Sequence, residues 1–246
     1  MTTVERPFDP ADQLGHPLDH APWASLTGAH AYLAEGTQHA LRYPPDVSPF
    51  VAVEPSPGPQ AWRDLAELAG PGATVALSGD ADLFASVPAD WEFEMRGEGV
   101  QLVATPALQT APDSEAVRLG EADVPEMLDL VARTQPGPFL PRTYLLGTYL
   151  GIRRGGALVA MAGERLHPPG WTEISAVCTD PAFRRQGLAG RLVSAVAHGI
   201  RERGETPLLH AAASNVGAIR LYQAMGFELR RRTEFAALRV PGPAPE

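Results

Sequence analysis

The sequence predicts an α/β protein of the α+β kind, and three observations predict it. Strand-like and helix-like patterns alternate through the second half of the chain. Two of the strand patterns meet at a Gly-Gly turn, which makes that pair an antiparallel hairpin. The 24 glycines and 25 prolines are scattered as punctuation rather than gathered in one tail. The 246 residues suffice for one large domain or two small ones, and 44% apolar residues suffice for a core.

The first third is turn-rich. Pro44, Pro45, Pro49, Pro55, Pro57 and Pro59 leave little uninterrupted helix between Tyr43 and Gln60, because proline lacks an amide donor and restricts its predecessor. A helix fits Ala61 to Ala69, with Trp62, Leu65, Leu68 and Ala69 at helical spacing and Gly70-Pro71 as its stop. Thr74 to Leu77 and Trp91 to Arg96 are expected strands, and Gly97-Glu98-Gly99 is expected to turn the chain into a third at Val100 to Ala104. The proline-bearing stretch Thr105 to Asp113 is the expected boundary between an accessory domain, residues 1–112, and a second domain, residues 113–246.

Beyond that boundary the pattern is more regular. Asp123-Val-Pro-Glu126 has the form of a capping box, followed by Met127, Leu128 and Val131 on one helical face, and the helix should stop near Gln135-Pro136-Gly137. Tyr149 to Arg153 and Ala157 to Arg165 form the hairpin around Gly155-Gly156, and Thr172 to Thr179 supplies another strand. A helix carrying Leu188, Leu192, Val193, Val196 and Ile200 follows. Then come a buried strand at Leu208 to Ala213, an N-cap at Asn215, a short helix to Met225 and a strand resuming at Phe227.

Charge and composition exclude several functions. A net charge of -9 opposes adsorption to nucleic acid through phosphate contacts. All basic residues are arginine, so lysine Schiff-base chemistry and a P-loop are excluded. The single Cys178 builds neither an internal disulfide nor a structural zinc site. No apolar run reaches membrane-spanning length and the first residues carry no signal-peptide pattern, so a cytoplasmic protein with no membrane partner is expected.

The run Phe183-Arg-Arg-Gln-Gly-Leu-Ala-Gly190 carries the chemistry. It lies between a strand and a helix, where unpaired backbone amides and the helix dipole favour an anion and glycine lets a ligand approach closely. In a negative chain a polyanion needs local positive charge, and Arg184, Arg185 and Arg191 are the expected source. No Gly-x-Gly-x-x-Gly follows a strand to open a helix, so a dinucleotide fold is not indicated.

Arg184-x-x-Gly187-x-Ala189 resembles the Gln/Arg-x-x-Gly-x-Gly/Ala signature of the GNAT acetyltransferase superfamily. Asn215-x-x-Ala218-x-x-Leu221-Tyr222-x-x-x-Gly226-Phe227 resembles its second motif, in the same order and at the same separation. The resemblance implies a GNAT-like mixed, largely antiparallel sheet with flanking helices and a splayed parallel strand pair. It covers about Thr172 to Phe227, with a compatible pattern from Val117; the smaller α/β N-terminal domain would be accessory or a degenerate second copy.

It also implies acetyl-coenzyme A as co-substrate and direct transfer to an amine through a tetrahedral intermediate. The pyrophosphate would sit on amides of Arg185, Gln186, Gly187, Leu188, Ala189 and Gly190, beside Arg184. Val177 would hold the thioester carbonyl, Cys178 and Thr179 would line the pantetheine arm, and Asn215, Ala218 and Tyr222 would complete the cofactor wall. Tyr222 matches the general-acid position and Glu173 a position where such enzymes place a base. Strict alternation would put Glu173, Ser175 and Val177 on one sheet face. Phe139, Arg142, Tyr144 and Tyr149 fall where the acceptor pocket is usually built, and His198 and His210 are expected to be structural.

The expected partner is a small-molecule or peptide amine, with a homodimer as the oligomeric option. A coenzyme A-binding sensor without turnover is the second reading.

Overall fold

The computed structural model describes residues 15–242. A short helix α1 (Ala21–Leu26) precedes strands β1 (Glu35–Gly36), β2 (Ala40–Arg42) and β3 (Val51–Val53), which form a small antiparallel sheet in the order β1-β2-β3. The chain continues through α2 (Pro59–Ala69), β4 (Thr74–Gly79), α3 (Ala81–Ala85), β5 (Glu92–Ala104), β6 (Val117–Leu119) and α4 (Val124–Thr134). It ends with β7 (Tyr149–Arg154), β8 (Ala157–Glu164), β9 (Trp171–Thr179), α5 (Leu188–Glu202), β10 (Thr206–Ala212), α6 (Val216–Met225) and β11 (Phe227–Arg239). Among the described residues no helix is long and apolar enough to cross a membrane.

Eight of these strands form one mixed sheet in the order β4-β11-β5-β10-β9-β8-β7-β6, antiparallel throughout except for the parallel pair β9 and β10. Residues on both sides of the Thr105–Asp113 stretch therefore share a sheet: β5 lies between β11 and β10.

The expected turn at Gly97-Glu98-Gly99 is not there. β5 runs straight through it as a 13-residue strand, because both glycines serve close packing. A Cβ at Gly97 would lie 2.6 Å from the Phe235 ring, and one at Gly99 would lie 2.7 Å from Thr233 Oγ1.

The amphipathic helices cover opposite faces of this sheet. On one, α5 buries Leu188, Leu192, Val193, Val196 and Ile200 against Val159, Ile174 and Leu209. On the other, α4 buries Met127 and Leu130 against Leu119, Tyr149, Met161 and Cys178. Each such buried side chain stabilises the fold by about 1.5–3 kcal/mol. α2 does the same for β4 and β11, through Trp62 and Leu65 packed on Val75, Leu77 and Leu238.

The hairpin turn is as expected, with Gly155 and Gly156 both at positive φ (57° and 89°). The capping box is not: Asp123 accepts from the Gly120 amide at 2.9 Å and from Arg153, and provides no cap for α4. Glu126 accepts from Arg153 and the Leu158 amide instead.

Candidate active site

The site begins where the parallel pair opens. β9 and β10 hold register at Trp171/Thr206, Thr172/Pro207 and Glu173/Leu208 and no further. From Ile174 and Leu209 onward they diverge, while β10 stays paired to β5 as far as Ala212. The unpaired backbone edges face a cavity of about 860 Å³.

A bulge shapes the β9 side of this wedge. Ser175 pairs with Gly163 and Cys178 with Met161, so Ala176 and Val177 share the place opposite one residue, and Ala176 takes a positive φ of 51°. The bulge overturns the expected alternation. Ile174 and Val177 belong to the cluster under α5, whereas Ala176 and Cys178 pack with α4, so Val177 does not share a face with Glu173 and Ser175 as strict alternation requires. Val177, Cys178 and Thr179 all line the cavity. Burial pushes the Cys178 thiol up to about 11, leaving it protonated and unreactive at neutral pH.

The start of α5 forms the adjoining wall. Arg185 and Gly187 take left-handed φ values of 62° and 76°, and no side chain among the described residues caps the helix. Its first helical bond runs from the Arg191 amide to the Gly187 carbonyl at 3.0 Å. Arg184, Arg185, Gly187, Leu188, Ala189 and Gly190 line the cavity. Gln186 is exposed and off that wall. Arg191 is not the charge source the sequence suggested: it bonds Asp113 at 2.7 and 2.8 Å and Glu115 at 2.5 Å, so its charge is spent on the preceding linker.

Across the wedge stands α6, capped by the Asn215 side chain, which accepts from the Ala218 amide at 3.2 Å. Asn215, Ala218 and Tyr222 line the cavity. Tyr222 is 7% exposed, packs edge-on to Phe227, and has no hydrogen-bond partner for its hydroxyl among the described residues. Burial pushes that phenol up to about 12, which keeps it a proton donor.

Glu173 is not placed as a base. It is fully buried behind the cavity wall, and its carboxylate accepts from Arg165 Nε at 2.8 Å, Arg165 Nη2 at 2.5 Å and His210 Nδ1 at 2.8 Å. The Arg165 guanidinium, with a contribution from His210, holds it well below the ordinary glutamate range against the opposing effect of burial. Arg165 and His210, rather than Glu173, reach the cavity.

The His210 tautomer follows from its neighbours. Nδ1 donates to the Glu173 carboxylate, and Nε2 accepts from Gln101 Nε2 at 3.0 Å. The Gln101 amide is itself oriented by donating to the Leu18 carbonyl and accepting from Arg230.

The expected acceptor residues are elsewhere. Phe139 and Tyr149 are buried under α4, Arg142 pairs with Asp46, and neither they nor Tyr144 line the cavity. His198 pairs with Glu202 on the outside of α5. The rest of the cavity is lined by Phe50, Leu77, Met95 and Phe235, by Leu166 and Arg165, and by the Gln135–Pro138 loop. No sequence signal marked these positions, because they converge only when β4, β5 and β11 join the sheet.

A family model described as FR47-like protein matches residues 149–236. Among solved structures, a Novosphingobium aromaticivorans protein named for the GNAT family of acetyltransferases is 38% identical, over 91% of this chain and 98% of that one, with a TM-score of 0.83. A GCN5-related N-acetyltransferase from Kribbella flavida shares the fold at 19% identity and a TM-score of 0.60, over 91% and 96% of the two chains. A GCN5-related N-acetyltransferase-like protein from Streptococcus suis does so at 18% and 0.54, over 92% and 96%. Among curated proteins, none matches the chain.

Proposed function

Because the chain belongs to the GNAT family of acetyltransferases, we propose that it transfers the acetyl group of acetyl-coenzyme A directly to a primary amine of a small molecule or peptide. The observation that carries this reading is the convergence, at one strand splay, of a helix start and a tyrosine hydroxyl that have no side-chain cap and no hydrogen-bond partner among the described residues. The residues present fit the co-substrate. The helix start offers amides from Arg185 to Gly190, and open space lies where a Cβ of Gly187 would project. Arg184 and Arg185 add positive charge at its mouth, while Val177, Cys178 and Thr179 form the wall leading inward.

Transfer forms a bond from the amine nitrogen to the acetyl carbon and breaks the bond from that carbon to sulfur. The Tyr222 hydroxyl supplies the proton that the departing sulfur takes. The amine arrives as an ammonium and must lose a proton before it attacks. Glu173 is buried away from the cavity and both ring nitrogens of His210 are already engaged, Nδ1 donating to Glu173 and Nε2 accepting from Gln101, so that proton passes to solvent water, and Glu173 is a positioning residue for Arg165.

Isothermal titration with acetyl-coenzyme A, run beside a thiol-release assay over an amine panel, tests the reading. Binding with amine-dependent release supports it. Binding without release under any amine points to a coenzyme A sensor, and absence of binding overturns both.

A further inference from the structure

We propose that Arg165 anchors a carboxylate on the acceptor, so that the acceptor is an amino acid with an apolar side chain. The inference rests on the acetyl-transfer reading and names the substrate class within it.

The geometry of one guanidinium supports the assignment. Arg165 follows β8 and is tied across the hairpin to β9, its amide donating to the Glu173 carbonyl at 3.0 Å. Its side chain turns the Nε edge onto the Glu173 carboxylate, at 2.8 and 2.5 Å. Nη1 has no hydrogen-bond partner among the described residues, although the side chain is only 16% exposed and lines the cavity. The plane is held over the Phe50 ring, 4.9 Å from its centroid.

A guanidinium carries five donors in a planar fork, and a side-on pair to one carboxylate uses only the Nε edge. The outer edge, between the two terminal nitrogens, keeps the spacing that matches a second carboxylate two bonds for two. Glu173 fastens the fork and is itself held by His210, whose Nδ1 donates to the Oε1 that also accepts from Arg165 Nη2. The arrangement presents a pre-positioned anion fork at the cavity wall.

The surroundings specify the rest of the ligand. Phe50, Met95, Leu166 and Phe235 make this part of the wall apolar. The acidic group on it, Glu234, is committed to Arg96 at 2.6 Å. An acceptor with one carboxylate, one amine and a hydrocarbon side chain meets each of these features.

The test uses the full chain with acetyl-coenzyme A and thiol release as the readout. L-leucine and L-phenylalanine are compared with isoamylamine and phenethylamine, which differ from them by the carboxylate. The amino acids are expected to exceed the bare amines in kcat/KM by roughly 10- to 100-fold, the scale of a charged bidentate contact. The double variant Arg165→Met/Glu173→Gln removes both charges so that neither is left buried alone; in it the ratio should fall to near one while acetyl-coenzyme A still binds. Bare amines transferred as fast as amino acids, or a ratio that survives in the double variant, overturn the assignment. Acetyl-coenzyme A bound with amines acetylated but no amino acid acetylated overturns it alone, and loss of acetyl-coenzyme A binding in the unmodified chain overturns the transfer reading beneath it. If the double variant does not fold, the comparison within the unmodified chain decides.

Discussion

Glu173 and Leu208 are the last pair at which β9 and β10 keep register, and the candidate site opens one residue beyond them. That pair ties the wedge to a buried charge network: the carboxylate of Glu173 sits at the base of the opening, with Arg165 and His210 reaching past it into the cavity. The groups proposed to hold a thioester and those proposed to meet an acceptor are therefore both positioned by one parallel strand pair.

Tyr222→Phe removes a hydroxyl that bonds to no described protein group. Turnover should drop by roughly 10²- to 10⁴-fold, the range of a lost general acid, while acetyl-coenzyme A affinity and melting temperature stay as they are. An unchanged kcat would exclude Tyr222 from the proton transfer.

Glu173→Ala leaves the Arg165 cation buried without its partner, at a cost of about 3–5 kcal/mol. The glutamate is held below its ordinary range in the folded state, so the stability it contributes is present above about pH 4.5 and is lost as pH falls below that toward the folded value. Thermal melts from pH 7 to pH 3 should show this acid loss in the unmodified chain. Arg165→Met/Glu173→Gln should lack it, and an equal acid loss in that variant would assign the effect to other groups.

His30 is buried between the Tyr43 hydroxyl and the Leu146 carbonyl, at 2.9 and 3.2 Å, with the His167 ring 4.8 Å away. Burial, with His167 adding to it, lowers its pKa from 6.5 to about 4. The fold therefore favours the neutral ring. This contribution is intact above about pH 6.5 and declines as pH falls toward 4, by roughly 3 kcal/mol in all. Urea unfolding at pH 7.5 and 4.5 measures it, and His30→Gln should show a much smaller difference between the two; the same difference in both chains would refute the prediction.

Gly187→Ala places a methyl in open space at a positive φ, so the fold should lose only about 1 kcal/mol. The methyl projects where a pyrophosphate would rest, and acetyl-coenzyme A should bind roughly tenfold more weakly. Titration beside a melt separates the two effects, and full affinity with a lowered melting temperature would place the phosphates elsewhere.

The second half of the fold was largely legible along the chain. α5 could be read from Leu188, Leu192, Val193, Val196 and Ile200, all of which are buried, and the Asn215 cap is made by its side chain as its type suggests. In the first half the helix ending at Ala69 and the strand starting at Thr74 were legible too, but the continuity of β5 was not, because its signal was ambiguous locally. Gly97 and Gly99 carry the composition of a turn, yet the side chains that require them to be glycine, Phe235 and Thr233, lie more than 130 residues away. The same blindness affected Arg191, whose partners Asp113 and Glu115 sit 76 to 78 positions upstream.

By itself, the sequence determined the elements whose signal is periodic or terminal: the amphipathic helices, the Gly-Gly hairpin, and the uncapped helix start after Arg184 with Tyr222 downstream. Only the tertiary structure decided that β5 joins β10 and β11, that a bulge turns Val177 off the face of Glu173, and that Glu173 is tethered while Arg165 and His210 meet the cavity. The physical reason is range. Helix propensity and capping act within a few residues, whereas strand order, ion pairing and desolvation depend on groups brought together only when the chain has closed on itself.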